Sequence, residues 1–394
     1  MRFWRYLTAV VMGFGAGALY GWSALAAPLQ QAFDVRTAEI GMVFSIALVS
    51  FTVAVLLAPA FTRLMGSDRV LAVGALAAAL CTTLAAFAPN FALFVALFSV
   101  GFGTASGLLY STVLTIAAQS PRPQLVTPMF VTVFGLGGVV FGPVWKILAA
   151  ADWGLTALLP LSALLLIASL LAWFTGNRKT VDGVQVKQST TDSVSASASA
   201  SASVSAPAKS ATPGQLLHIW LIFASGAFAG LMVLGLAAEI IEAGPSTLFL
   251  TSAVLAGVAL ANTTGRLSGA AFGKAADSPL NGLHVSALIT LVGLTTVLLA
   301  PQGLAVGIGL VLIAGGYGLL ASTITMLTAR QTRPADFQRH FGLVFTAWGA
   351  AGFVAPWLSG IIFDRYGDFS LAYLIAVSTT VALALLVWGF RRRL

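Results

Sequence analysis

Runs of about 20 apolar residues recur from one end of this chain to the other, and that recurrence limits the fold more than any other feature. Hydrocarbon offers no water to peptide N–H and C=O groups, so each run has to close its hydrogen bonds within itself, as a helix. Twelve runs can be counted, at roughly 6–27, 40–61, 70–88, 91–117, 125–149, 154–175, 216–240, 246–272, 282–300, 303–328, 340–363 and 369–390. The expected fold class is an all-α membrane protein with twelve transmembrane helices. Composition agrees, with 58% hydrophobic and 8% charged residues, against roughly 25% charged in soluble domains. Soluble enzymes drop out on this ground. Cys81 is the single cysteine, and His218, His284 and His340 are far apart in sequence, so neither a disulfide framework nor a metal site is expected. No nucleophile–base pair is visible, so an enzyme is not expected, nor is a cofactor.

Residues 176–214 break the pattern with SVSASASASASVSAPAKSATP. Alternating Ser and Ala cannot bury a core, and the stretch reads as a flexible linker. It divides the chain into residues 1–175 and 215–394, six spans each. Charge sets the orientation. With both termini and the linker on one side, sixteen of the 20 basic residues fall on that side, and only Arg36, Lys146 and Arg365 on the other. By the positive-inside rule both termini are then cytoplasmic, in a cell (inner) membrane. The net charge of +8 is accordingly a topology signal, and no nucleic-acid partner is expected. Asp34, Glu39, Asp152, Glu239, Glu242, Asp364 and Asp368 read as solvated helix ends, with an external proton or substrate gate as the alternative for Glu239 and Glu242 on span seven.

The two halves repeat. GLLYSTVLTIAAQSPRP at 107–123 matches GLLASTITMLTARQTRP at 318–334 in eight of 17 positions, at an offset of 211. Spans five and eleven carry FGPVW (141–145) and VAPWL (354–358) at a similar offset. Repeats in the same direction with six spans each imply two halves related by an axis along the membrane normal, with a site between them near the midplane.

One charge lies inside a span. Arg266 sits in AGVALANTTGRLSGAAFG (256–273), about eight residues or ~12 Å from the cytoplasmic end of its run. A guanidinium in hydrocarbon costs at least ~2.5–3.5 kcal/mol. Either it snorkels to the interface or pairs with a carbonyl, or it faces a water-filled cavity that an anion visits. Gly265 and Gly269 permit close helix approach. Thr263 and Thr264 add polarity. Asn262, one turn before Arg266, shares its face. A planar guanidinium matches a carboxylate in a bidentate way that lysine does not.

Twelve spans, a six-plus-six repeat and a central linker resemble the major facilitator superfamily, and within it the oxalate:formate antiporter and monocarboxylate transporter group. The pieces that carry the closer resemblance are YGWSALAAPL (20–29), LLYSTVLT (108–115), NTTGR (262–266) and RHFGLVFTAWG (339–349). The resemblance implies two six-helix halves, a monomer, and a substrate carboxylate bound by the span-eight arginine, here Arg266. It also implies aromatics lining the cavity from spans one, four and ten, here Tyr20, Tyr110 and Tyr317; an interfacial belt is the competing reading for each. Trp22 fits the span-one signature. Trp348 stands where the oxalate antiporter carries a lysine, and a single fixed positive charge suits one carboxylate better than two. Asn262 stands where animal monocarboxylate transporters carry an aspartate. The cytoplasmic motif after span two is represented only by AFTRLMGSDR (60–69), and Lys274 stands where an acid is expected after span eight.

The expectation is a secondary transporter that moves a small organic anion, monocarboxylate or oxalate/formate-like, through the lipid bilayer by alternating access. Its substrate-binding residues are Arg266, Asn262, Tyr20, Tyr110, Tyr317, Trp348 and Trp22. An exporter of lipophilic compounds and a non-transporting receptor for a metabolite are the alternatives.

Overall fold

The computed structural model describes residues 2–118, 123–177, 211–269, 278–300, 302–332 and 337–391. The central part of the expected linker, 178–210, and Lys274 lie outside the described residues. Among the described residues eleven helical stretches are long and apolar enough to cross a membrane, and one of them, Thr132–Trp173, holds two helices joined by a tight turn, so twelve helices follow one another. They are α1 (Arg2–Ala16, continued through a 3-10 stretch Gly17–Leu25 and a last piece Ala26–Phe33), α2 (Thr37–Met65), α3 (Ser67–Ala86) and α4 (Phe91–Phe94, a π-helical stretch Val95–Phe102, then Gly103–Ala118). Then come α5 (Pro123–Leu148), α6 (Leu159–Asn177), α7 (Pro213–Glu242), α8 (Leu248–Ser268), α9 (Ser278–Leu299), α10 (Gly303–Gln331), α11 (Phe337–Tyr366) and α12 (Ser370–Arg391). No strand occurs among the described residues.

Helix ends carry the chemistry that ends need. Thr212 and Gln215 form a capping box at the start of α7, with Pro213 at its first position. Thr247 and Asn90 accept from backbone N–H groups at the starts of α8 and α4. The turn from α5 to α6 is tight. It places Asp152 (φ 62°) and Gly154 (φ 52°) in the left-handed region, so the two spans are joined with almost no loop. Outward faces are apolar and unburied, as at Leu80, Leu170, Leu288 and Leu385. In water such a surface would aggregate; around a bundle of membrane-length helices it is the lipid-facing surface.

The packing repeats as the sequence does. The pairs α1–α5, α2–α4, α3–α4 and α3–α6 reappear, six helices later, as α7–α11, α8–α10, α9–α10 and α9–α12. The offset of 211 survives at atomic detail. A Cβ added to Gly107 of α4 would run into the carbonyl of Phe51 on α2, and one added to Gly318 of α10 into the carbonyl of Asn262 on α8. Both members of each pair differ by the same 211 positions. The buried hydroxyls of Thr112 and Thr323, also 211 apart, donate to Leu108 O and Leu319 O at 2.7 and 2.6 Å. Between the two sets of six, α2 lies against α11, α5 against α8, and the 3-10 stretch of α1 against α7. The surface that any central site must use is therefore built from α1, α2, α5, α7, α8 and α11, with α4 and α10 behind them.

Two details differ from the expected spans. Helix α1 runs on to Phe33 and tightens to 3-10 geometry in its middle, where it lies against α5. Helix α4 contains a π-helical stretch that α10 lacks, so the repeat is not perfect.

Because α8 and α10 touch backbone to backbone at Gly318, Gly318→Val is expected to cost about 1–3 kcal/mol of stability through overpacking. Gly389→Ala on α12, where nothing lies within 4 Å of the added atom, is expected to be neutral or slightly stabilising. Thermal unfolding of the two purified variants in detergent checks the contrast.

Candidate functional site

Arg266 lies in the last turn of α8 as described, yet its guanidinium does not escape to the interface. Its Nη2 donates to the Tyr20 hydroxyl of α1 at 2.9 Å, and its Nε donates to Asn262 Oδ1 at 3.4 Å. The guanidinium carbon stands 5.6 Å from the ring centre of Tyr20 and 5.8 Å from that of Tyr317, within cation–π range. Tyr20 and Tyr317 are both near the middle of their spans, Tyr6–Phe33 and Gly303–Thr328. The positive charge is thus held at mid-depth, between the two sets of six helices.

The surrounding groups fall into place around it. Tyr317 is buried, and its hydroxyl accepts a hydrogen bond from Trp348 Nε1 of α11. Asn262 is fully buried; its Oδ1 faces Arg266, while its Nδ2 has no hydrogen-bond partner. Tyr110 packs on Phe134 at 4.7 Å and on Phe51 at 5.5 Å between ring centres. Phe51 also meets Trp348 at 5.6 Å, and Phe134 meets Tyr20 edge-on at 5.4 Å. The result is a continuous aromatic enclosure drawn from α1, α2, α4 and α5 on one side and α10 and α11 on the other, with a guanidinium in it. Tyr20 and Tyr317 each accept one hydrogen bond from a fixed donor, which leaves their own hydroxyl hydrogens free to donate.

Six of the seven residues singled out in the sequence converge here: Arg266, Asn262, Tyr20, Tyr110, Tyr317 and Trp348. Trp22 does not. It is fully buried within α1 and α4, with its ring 5.0 Å from Phe98 and 6.2 Å from Phe94. Two residues along from Tyr20 on a tightened helix, it points into the core of its own set of six. Thr263 and Thr264 also contribute less polarity than expected, because both hydroxyls return to carbonyls of α8, at Ala259 and Leu260. Phe51 and Phe134 were missed, since a phenylalanine in an apolar run carries no mark of which way it faces. The repeat held the one available signal: Phe51 is the 211-offset counterpart of Asn262.

The acidic helix ends divide. Asp34, Asp152, Asp364 and Asp368 are exposed, as a solvated end requires. Asp364 does more than end α11, for its two oxygens accept from Thr37 N and Ala38 N at 3.0 and 2.8 Å and so cap α2 of the other set. Glu239 departs from the expectation. It is 9% exposed, and both its carboxylate oxygens are buried without a partner. The cause is tertiary: the last turns of α7 are covered by the elements packed on it, and proximity to a helix end did not guarantee water. Its neighbour Glu242 forms an ion pair with the buried Lys146 of α5. Arg266 has no carboxylate partner among the described residues.

Comparison with known proteins places this architecture. No curated protein sequence matches the chain. Among solved structures, a D-xylose–proton symporter superposes with a TM-score of 0.76 at 14% identity, covering 98% of this chain and 97% of that one. The xylose transporter XylE from E. coli, in a partially occluded inward-open conformation, gives 0.74 at 14% identity, covering 98% and 99%. The nucleoside transporter NupG gives 0.72 at 16% identity, again covering 98% and 99%. At such identities these likenesses concern the fold. The sequence model of the Major Facilitator Superfamily matches residues 6–336, most of the chain, and the protein therefore belongs to the Major Facilitator Superfamily of membrane transporters.

Proposed function

We propose that this transporter carries a small organic anion with a single carboxylate, of the formate, lactate or pyruvate kind, and that Arg266 is its binding group. One observation carries the reading. A guanidinium is held at mid-depth between the two sets of helices with neutral partners only, so its charge is left to be balanced by something that comes and goes. A monocarboxylate balances it; a dicarboxylate would leave one negative charge uncompensated in a low-dielectric site, because Trp348 and not a second cation faces it.

The chemistry follows from the donors. A carboxylate that reaches Arg266 replaces the Tyr20 oxygen as acceptor from Nη2. The freed Tyr20 hydroxyl and the unpartnered Asn262 Nδ2 can then donate to it. Tyr110, Phe51 and Phe134 give the substrate an apolar wall of modest size, which suits a short carbon chain. Since Tyr20 belongs to α1 and Arg266 to α8, exchanging their mutual hydrogen bond for a shared anion alters what links the two sets. That is the differential contact that alternating access needs. In the cell the termini side would be cytoplasmic, by the distribution of basic residues.

Uptake of labelled formate, lactate, pyruvate and oxalate into proteoliposomes tests the reading. Arg266→Gln is expected to reduce monocarboxylate uptake at least about 100-fold, the scale of removing one partner of a buried charge pair. Unchanged uptake in that variant would refute the site. Arg266→Lys keeps charge and loses the fork, so an intermediate loss is expected. Oxalate is expected to be the poorest of the four substrates.

Tyr20→Phe removes one hydrogen bond to a charged group, and a loss in kcat/KM of about tenfold or more is expected. Trp348→Phe releases the Tyr317 hydroxyl from its fixed donor. The expected result is a raised KM with protein yield unchanged, checked by concentration-dependent uptake.

A further inference from the structure

At the end of the bundle that carries neither terminus, the two sets of six are joined by polar contacts. Lys146 near the end of α5 pairs with Glu242 at the end of α7, and Asp364 of α11 caps α2. Glu239 lies one turn inside Glu242 on the same helix, buried, with neither carboxylate oxygen hydrogen-bonded. Neither the carboxylate-binding reading nor the fold uses it. A hydrophobic residue would cover this spot without the penalty of an unpaired buried polar group.

Charge counting gives the group a role. Two charged groups act on Glu239: Glu242 on its own helix and Lys146 from α5. The other charges at that end are engaged or exposed. Glu39 accepts from Arg36 N, Asp364 is occupied at α2, and Asp34, Arg36, Asp152, Arg365 and Asp368 are exposed. The described parts of α8, α10 and α12 bring no charged residue to this end. Lys146 and Glu242 neutralise each other. An ionised Glu239 would therefore add one uncompensated negative charge to a buried cluster, and a protonated Glu239 would add none. The contact between α5 and α7 is balanced only with the proton in place.

We propose that Glu239 is a proton-binding site that links closure of this end of the transporter to the pH on that side. When the ends of α5 and α7 separate, water reaches the carboxyl group, which can release its proton and ionise. When they close, the carboxylate takes one proton from that solvent, COO⁻ becoming COOH, and Lys146 pairs with Glu242. Lower pH on that side then favours the closed arrangement. The inference rests on the alternating-access part of the proposed function and not on the identity of the substrate.

The test needs no substrate, so its failure is separable from failure of the anion site. In full-length protein with Cys81→Ala, spin labels at Ala150→Cys and Ala243→Cys report the separation of the ends of α5 and α7 by pulsed electron–electron resonance. Between about pH 4.5 and 9, the closed-to-open ratio is expected to rise on acidification, by up to about tenfold per pH unit for one linked proton. Glu239→Gln, a fixed neutral mimic, is expected to hold the closed separation at every pH. Glu242→Gln leaves Lys146 free to pair with an ionised Glu239, so closure no longer needs the proton and the pH response is expected to weaken or vanish. A parent protein whose separation ignores pH overturns the proposal, as does Glu239→Gln that still responds. Should Glu239→Gln not fold, an undiminished pH response in Glu242→Gln overturns it equally.

Discussion

The absence of water in hydrocarbon is the constraint on which everything else in this molecule depends. It forces the backbone into helices, turns leucines outward and leaves polar side chains only the interior in which to be polar. Most of them satisfy themselves locally. Thr52, Thr82, Thr112, Thr263, Thr323 and Thr380 each return their hydroxyl to a carbonyl one turn earlier. Charged groups cannot do so, and their placement marks where the protein does its work. Between the two sets of helices such charges stand at two levels. Arg266 stands at mid-depth, and Lys146, Glu242 and Glu239 stand at the end away from the termini.

The two levels have different physics. At mid-depth one positive charge is met by neutral acceptors and rings, an arrangement that tolerates the charge and leaves it available. At the far end a cation and an anion meet across the boundary, an arrangement that holds surfaces together. A transporter that rocks needs both kinds of contact: one whose balance is changed by a ligand, and one that must break for the ligand to pass. In this chain α5 and α7 carry the second kind. Helices α1 and α8 carry the first. The close backbone approach of α8 and α10 at Gly318 fixes Arg266 relative to Tyr317, so the guanidinium is aimed by packing and not by an ion pair.

Much of this was legible in the chain before any coordinates. Twelve apolar runs, the offset of 211 and the intramembrane Arg266 each follow from physics that acts on sequence directly, through helix length, internal duplication and the expense of a buried charge. Six of the candidate site residues converge because a polar or amphipathic side chain inside an apolar span has few places to go. Trp22 packs inside its own set of six because tryptophan is large and apolar enough to be core. Phe51 and Phe134 were invisible because nothing in a phenylalanine distinguishes a ring that faces a site from one that faces a neighbour or lipid.

The sequence by itself determined that the chain spans a membrane as helices, that it is built twice over, and that one positive charge must be accommodated within it. Only the tertiary structure decided which groups share that charge. Tyr20 is 246 positions away from Arg266, and no local pattern encodes a hydrogen bond between helices of opposite sets. The same holds for Glu239. Its position three residues from a helix end reads as solvated, and only the packing of other helices around the end of α7 removes the water. Burial is a property of the assembled bundle, so what it does to a charged group has to be read from that assembly.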